Sequence, residues 1–184
     1  MPRLFERMPV YAANVVKAHE VILWLANASP GIDVYRLVKA AYFADKHHVT
    51  ERGRPIIGDT YRAAPFGPLP QMVYALLRRQ PIELLALQDN GDPQFSVDEH
   101  HCVHAYRQAN TRKLSKSDIV SLAHGLAHVR GRSFNSLYDE THADPAYIAA
   151  DGGIIDYRDL IPEDDPRREQ KRKFVAENAE DAAL

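Results

Sequence analysis

Between Lys39 and Pro70 the chain crowds stops and turns together so tightly that neither a long strand nor one long helix can run through it. Lys39-Ala-Ala-Tyr-Phe-Ala-Asp-Lys-His-His leads to Gly53-Arg-Pro-Ile-Ile-Gly-Asp-Thr-Tyr and then to Phe66-Gly-Pro-Leu-Pro. Glycine supplies left-handed stops at little cost, and proline has no amide to give to a helix or a ladder. The stretch therefore demands short elements folded back on a helix. It holds no phosphate-binding Gly-x-x-x-x-Gly-Lys-Ser/Thr loop, no Gly-x-Ser-x-Gly elbow and no dinucleotide-binding glycine pattern.

The flanking periodicities supply the helices. Val15, Ala18, Val21, Ile22 and Leu25 recur at helical spacing and predict a helix over Tyr11 to Ala28, ended by Ser29-Pro-Gly. Asp33 is placed to cap a second helix whose stripe of Val34, Leu37, Val38, Ala41 and Ala44 runs to about Arg52, with Gly53 as its stop. Arg54 to Ala64 reads as two short strands about the Gly58-Asp59 pair. Pro65-Phe-Gly-Pro then launches a third helix with Pro68 at its first position and Leu69, Met72, Val73, Leu76 and Leu77 inward.

Beyond it, Gln94 to Val97 suggests a strand and Val103 to Gln108 a short helix. Ser115 with Asp118 predicts a capping box for a helix from Lys116 to Arg130, closed by Gly131. A short helix carries Phe134, Leu137 and Tyr138, and Asp144-Pro145 opens another. The predicted fold class is mainly α (α+β): one compact multi-helix domain over residues 1–162, with a small β-hairpin between the second and third helices. Residues 163–184 turn charged and are expected to be a frayed helix or disordered tail.

Composition narrows the function classes. A net charge of −2 exerts no global pull on nucleic acid. The lone Cys102 has no intrachain partner and is read as a buried thiol, which with the lack of a signal-like or membrane-spanning run predicts a cytoplasmic protein.

Several residues invite chemical readings. Asp45 borders the apolar stripe, and a carboxylate there needs a partner: Arg54, Arg62 or His48. With no nucleophile or second carboxylate near it in sequence, it is expected to be a structural tie. His124 and His128, spaced i, i+4, could share a metal, and His100, His101 and His104 cluster beside Cys102. The histidine pair lies near the face opposite the stripe of Ile119, Leu122, Leu126 and Val129. No His-Glu-x-x-His pattern accompanies it, so surface or hydrogen-bonded roles are favoured and no cofactor is expected. His142 reads as a hydrogen-bonding residue at a helix junction. Arg54, Arg62, Arg78 and Arg79 with Tyr61 and Tyr74 could form a basic-aromatic face. Such a face suits a nucleic-acid groove or a protein hot spot, and the charge balance favours protein.

Tyr42-Phe43-Ala44-Asp45, Gly53-Arg-Pro-Ile-Ile-Gly-Asp, Tyr61, Phe66-Gly67-Pro68-Leu69-Pro70 and Tyr74 together resemble the Panacea domain, the SocA-like antitoxin family. Leu137-Tyr-Asp-Glu-Thr-His-Ala-Asp-Pro-Ala-Tyr and Ile155-Asp-Tyr-Arg-Asp-Leu-Ile extend the likeness over residues 10–161. The resemblance implies a compact helical domain with a minor sheet. It also implies a non-enzymatic antitoxin from a bacterial or phage toxin–antitoxin pair, with a cognate toxin as partner and, in one type, delivery of that toxin to a ClpXP protease. On this reading Tyr61, Phe66, Gly67, Pro68, Pro70 and Tyr74 form the partner-binding surface, and Pro81 to Lys113 is the first place to seek toxin specificity. Asp181-Ala-Ala-Leu is a second-order candidate for a protease-recognised end. The alternatives are a metal-dependent hydrolase built on the histidine clusters and a nucleic-acid-binding regulator.

Overall fold

The computed structural model describes residues 7–78 and 93–181. Two helices form its centre. Helix α2, Val34–Arg52, is capped by Asp33, whose side chain accepts the Arg36 amide, and it ends at Gly53 with φ 69°. Helix α4, Lys116–Val129, starts with the reciprocal Ser115–Asp118 capping box. Gly125 lets the two lie in backbone contact. A Cβ there would stand 2.2 Å from the Ala40 carbonyl oxygen and 2.7 Å from the Ala44 nitrogen. Helix α1, Val15–Ala28, packs on this pair with Ala18, Val21, Ile22 and Leu25 buried. It starts four residues later than Tyr11, because the Asn14 amide donates to the Ile57 carbonyl at 3.1 Å while its side chain caps Lys17.

The hairpin lies between α2 and the third helix, but its strands are displaced from the predicted positions. Strands β1, Tyr61–Ala64, and β2, Gly67–Pro70, pair antiparallel, with Pro65-Phe66 as the turn. Gly58-Asp59 is not the turn because the Asp59 carboxylate is committed elsewhere. Its oxygens accept the amides of Thr60, Met72 and Val73 at 2.7, 2.8 and 2.9 Å, capping helix α3, Gln71–Leu77. Pro68 sits in β2 rather than at a helix start, where an edge strand tolerates its missing N–H. On the outer side, Ala63 donates to the Gly153 carbonyl and Ile155 to the Tyr61 carbonyl, both at 2.9 Å. Residues 153–155 thus cover the free edge of β1.

A second hairpin joins β3, Phe95–Val97, to β4, Val103–Ala105. The short helix predicted over Val103–Gln108 is therefore a strand at its start. The Val103 amide reaches the Ile32 carbonyl at 2.8 Å, and Val103 is buried while His104 is exposed. Helix α5, Phe134–Ala143, is followed by α6, Pro145–Ala150, with Asp144 as N-cap and Pro145 at its first position.

The charged segment after Glu163 contains helix α7, Arg168–Asp181. Arg172, Val175 and Ala179 recur at i, i+3 and i+7 and are buried. The Tyr11 hydroxyl donates to the Val175 carbonyl at 2.7 Å, and the Asn178 amide to the Gly53 carbonyl at 2.9 Å. Among the described residues no helix is long and apolar enough to cross a membrane.

Candidate functional site

Two carboxylates on the inner side of the hairpin are fully engaged. Asp45 is 1% exposed. Its Oδ1 accepts the Ile56 amide at 2.6 Å and its Oδ2 the Tyr61 hydroxyl at 2.8 Å. Burial pushes its carboxyl up to about 7, against these two bonds. Asp59 is likewise raised, by burial, against the bonds from the α3 amides and Thr60. Tyr157 donates to the Asp59 carbonyl at 2.5 Å and meets Tyr61 and Tyr11 edge-on. Tyr61, expected at a partner surface, is therefore an interior residue, also 1% exposed. The alternation of β1 explains this: Tyr61 and Ala63 face in, and Arg62 faces out.

The arginines expected beside Asp45 go elsewhere. Arg54 Nη2 lies 3.5 Å from the buried Asp118, as do His48 Nε2 at 3.3 Å and Lys17 Nζ at 2.7 Å. Asp118 thus joins α1, α2 and α4. Although its burial acts the other way, the bonds from Lys17 and Ser115 hold its carboxyl below the usual range. Arg62 is exposed, and its backbone bridges to Ile154. His48 Nδ1 lies 2.7 Å from the Arg54 carbonyl, tying the end of α2 to the following turn.

The outer side of the hairpin is of a different character. A cleft of about 740 Å³ opens between the start of α2, the hairpin turn, α3 and the β3–β4 hairpin. Its walls are largely apolar, with Val38, Leu69, Tyr74 and Leu77 among them, and Phe66 stands on its rim 64% exposed. Of the six residues expected to contact a partner, Phe66, Gly67 and Tyr74 line this cleft. Pro68 and Pro70 are buried in β2. Gly67 has φ 95°, and a Cβ on it would come within 2.6 Å of Thr141 Oγ1 and 2.9 Å of Lys39 Nζ, so glycine is required here.

An aromatic row continues from the rim. Tyr35 packs on Phe134 with ring centroids 4.5 Å apart, and Phe66 approaches the same ring edge-on at 6.3 Å. Phe134 then stacks toward Tyr138, Tyr138 on His142 at 3.7 Å, and His142 against Tyr147 at 4.6 Å. His142 holds the hairpin turn to α5, with Nδ1 2.7 Å from the Tyr138 carbonyl and Nε2 3.1 Å from that of Pro65. Tyr147 adds a bond to the Ala64 carbonyl at 2.8 Å. Phe134, Tyr138 and Tyr147 were not legible as surface partners of Phe66, since nothing in local spacing places α5 beside the turn.

The histidines disperse. His124 stacks on His47 at 4.2 Å, and desolvation, then His47 and His128, lower its affinity for a proton. His128 lies 2.9 Å from Glu140 and packs on Phe43, with Arg132 also on Glu140. His104 pairs with Asp98 at 2.7 Å. Among the described residues no group of three or more His, Cys, Asp or Glu side chains is placed to hold a metal ion. Cys102 is partly exposed rather than buried. Arg79, part of Pro81 to Lys113 and the end of Asp181-Ala-Ala-Leu lie outside the described residues.

Fold and surface together define a small, mainly helical α+β domain whose hairpin turn rims an apolar cleft. The chain belongs to the SocA-like antitoxin family: the family model described as "Antitoxin SocA-like, Panacea domain" matches residues 37–147, from α2 into α6. Membership supports an antitoxin role in general terms. No curated protein and no solved structure matches the chain.

Proposed function

We propose that this protein is a non-enzymatic antitoxin of the cytoplasm that neutralises a cognate toxin by direct contact. The toxin seats on the hairpin turn and the aromatic row beside it. The observation that carries this reading is the adjacency of Phe66, on a turn fixed by His142 and Tyr147, and Phe134, at the start of α5, 64% and 42% exposed. Exposed aromatics held in place lose little freedom on binding and are the residue type that dominates protein–protein hot spots. Gly67, the Pro65 carbonyl and the β2 prolines hold the turn in a single shape rather than touching the partner themselves.

The test is co-expression with the product of the adjacent gene. The neighbour is expected to arrest growth alone, to be relieved by this protein and to co-purify with it. The double variant Phe66→Ser/Phe134→Ser is expected to lose rescue and weaken the complex by about 100-fold, as loss of two hot-spot aromatics would, while its thermal unfolding stays close to that of the parent. A harmless neighbour that does not co-purify overturns the pairing. Full rescue by the double variant overturns the surface.

A further inference from the structure

Lys39 forms the floor of the cleft and is 1% exposed. Its Nζ has three protons to donate, yet among the described residues one hydrogen bond is made, to the Pro68 carbonyl at 2.9 Å. The face of Tyr35 also lies near, 5.0 Å from Nζ to the ring centroid. No carboxylate among the described residues pairs with it, whereas the buried Arg158 and Arg172 each have one. Burial lowers the Lys39 amine to about 7. Tyr35, one turn earlier on α2, also lines the cleft, and its buried hydroxyl has no hydrogen-bond partner among the described residues. A buried donor left unsatisfied costs free energy that a ligand can return. Tyr35 Oη, without a partner among the described residues, and Lys39 Nζ, with one where it can serve three, belong to side chains that line one cleft of ligand size with apolar walls.

We propose that this cleft binds an apolar organic acid, with the carboxylate accepting from Lys39 Nζ and Tyr35 Oη and the hydrocarbon body against Val38, Leu69, Tyr74 and Leu77. A carboxylate offers the acceptors both donors lack and neutralises the ammonium, and the walls bury the rest of the molecule. Arg78 and His101 also line the cleft and add donors. Asp98, the acidic residue beside them, is already paired with His104. The site shares Tyr35 and the Phe66 rim with the toxin-facing row, so it is tested on the chain alone, where ligand binding is read without any toxin.

The experiment titrates the full chain with 2-naphthoate and, separately, with its methyl ester, which keeps the hydrocarbon and removes the charge. Calorimetry or amide chemical shifts report binding at pH 6.5. The acid is expected to bind one to one and at least tenfold more tightly than the ester. Lys39→Met is expected to lose that tenfold advantage while the ester binds as before, and Tyr35→Phe, which removes one oxygen, to lose about threefold of the acid affinity. Equal binding of acid and ester, no binding of either, or undiminished acid binding by both variants overturns the proposal.

Discussion

Asp45 and Lys39 lie within two turns of each other on the buried side of α2, and the structure treats them in opposite ways. Asp45 accepts from a backbone amide and from a tyrosine hydroxyl, so both oxygens are engaged. Among the described residues Lys39 has a single carbonyl as partner, and it borders the cleft. Burial of a polar group does not itself distinguish scaffold from site. The partners do: a group whose bonding capacity is met inside the fold holds the fold, and one left short beside a cleft is available to something else.

The largest effect should come with pH. The folded Asp45 holds its proton up to about 7, whereas the ordinary carboxyl releases it near 3.8. The folded state therefore binds more protons across that window, and stability contributed by this group falls as pH rises from about 4 to about 7. For Lys39 the shift is downward, from 10.5 to about 7, so the unfolded state binds more protons above 7 and stability rises from there toward 10. Each limb should be worth about 4 kcal/mol. Urea unfolding across pH should show Asp45→Asn flattening the acid limb and Lys39→Met the alkaline one; unchanged limbs would sink this account. Next comes breaking the satisfied side. Asp59→Ala removes the acceptor for three amides and uncaps α3, which should cost about 3 kcal/mol and lower the melting temperature by about 10 °C. A loss below 1 kcal/mol by urea unfolding would remove the contrast.

A smaller effect separates the two roles directly. Lys39→Met should stabilise the protein at pH 6 by about 1 kcal/mol, because an underpartnered buried cation is replaced by an apolar chain of similar length. Destabilisation by the same amount would make Lys39 part of the scaffold. The smallest change is Tyr35→Phe, expected to raise stability by about 0.5 kcal/mol by thermal melting, since it removes a buried hydroxyl that has no hydrogen-bond partner among the described residues.

Local chemistry made much of the fold readable. The Asp33 cap, the Gly53 stop, the Ser115–Asp118 box and the Asp144-Pro145 start are signals contained within a few residues, and each stands where the sequence placed it. The hairpin lay in the right interval but in the wrong register. Gly58-Asp59 has the composition of a turn, while the carboxylate of Asp59 serves amides thirteen and fourteen residues ahead, a commitment no local pattern displays. Pro68 was misassigned for the same reason: proline suits a helix start and an edge strand equally. At the site, Phe66 was visible as an exposed turn aromatic. Its neighbour Phe134 was not, because their contact joins distant segments. Lys39 stood in the most telling stretch of the sequence without drawing notice, as lysines beside apolar stripes ordinarily reach water.

The cover that residues 153–155 place over β1 bears on where the domain can be cut. The family match ends at 147, before that cover begins, and α1 and α7 also lie outside it. A fragment trimmed to the matched residues would lose the amide of Ile155 and the carbonyl of Gly153 and leave the outer edge of a two-stranded sheet bare. Bare edges recruit other strands. Such a fragment should self-associate, and any partner it captured would be binding a surface that the whole chain keeps closed.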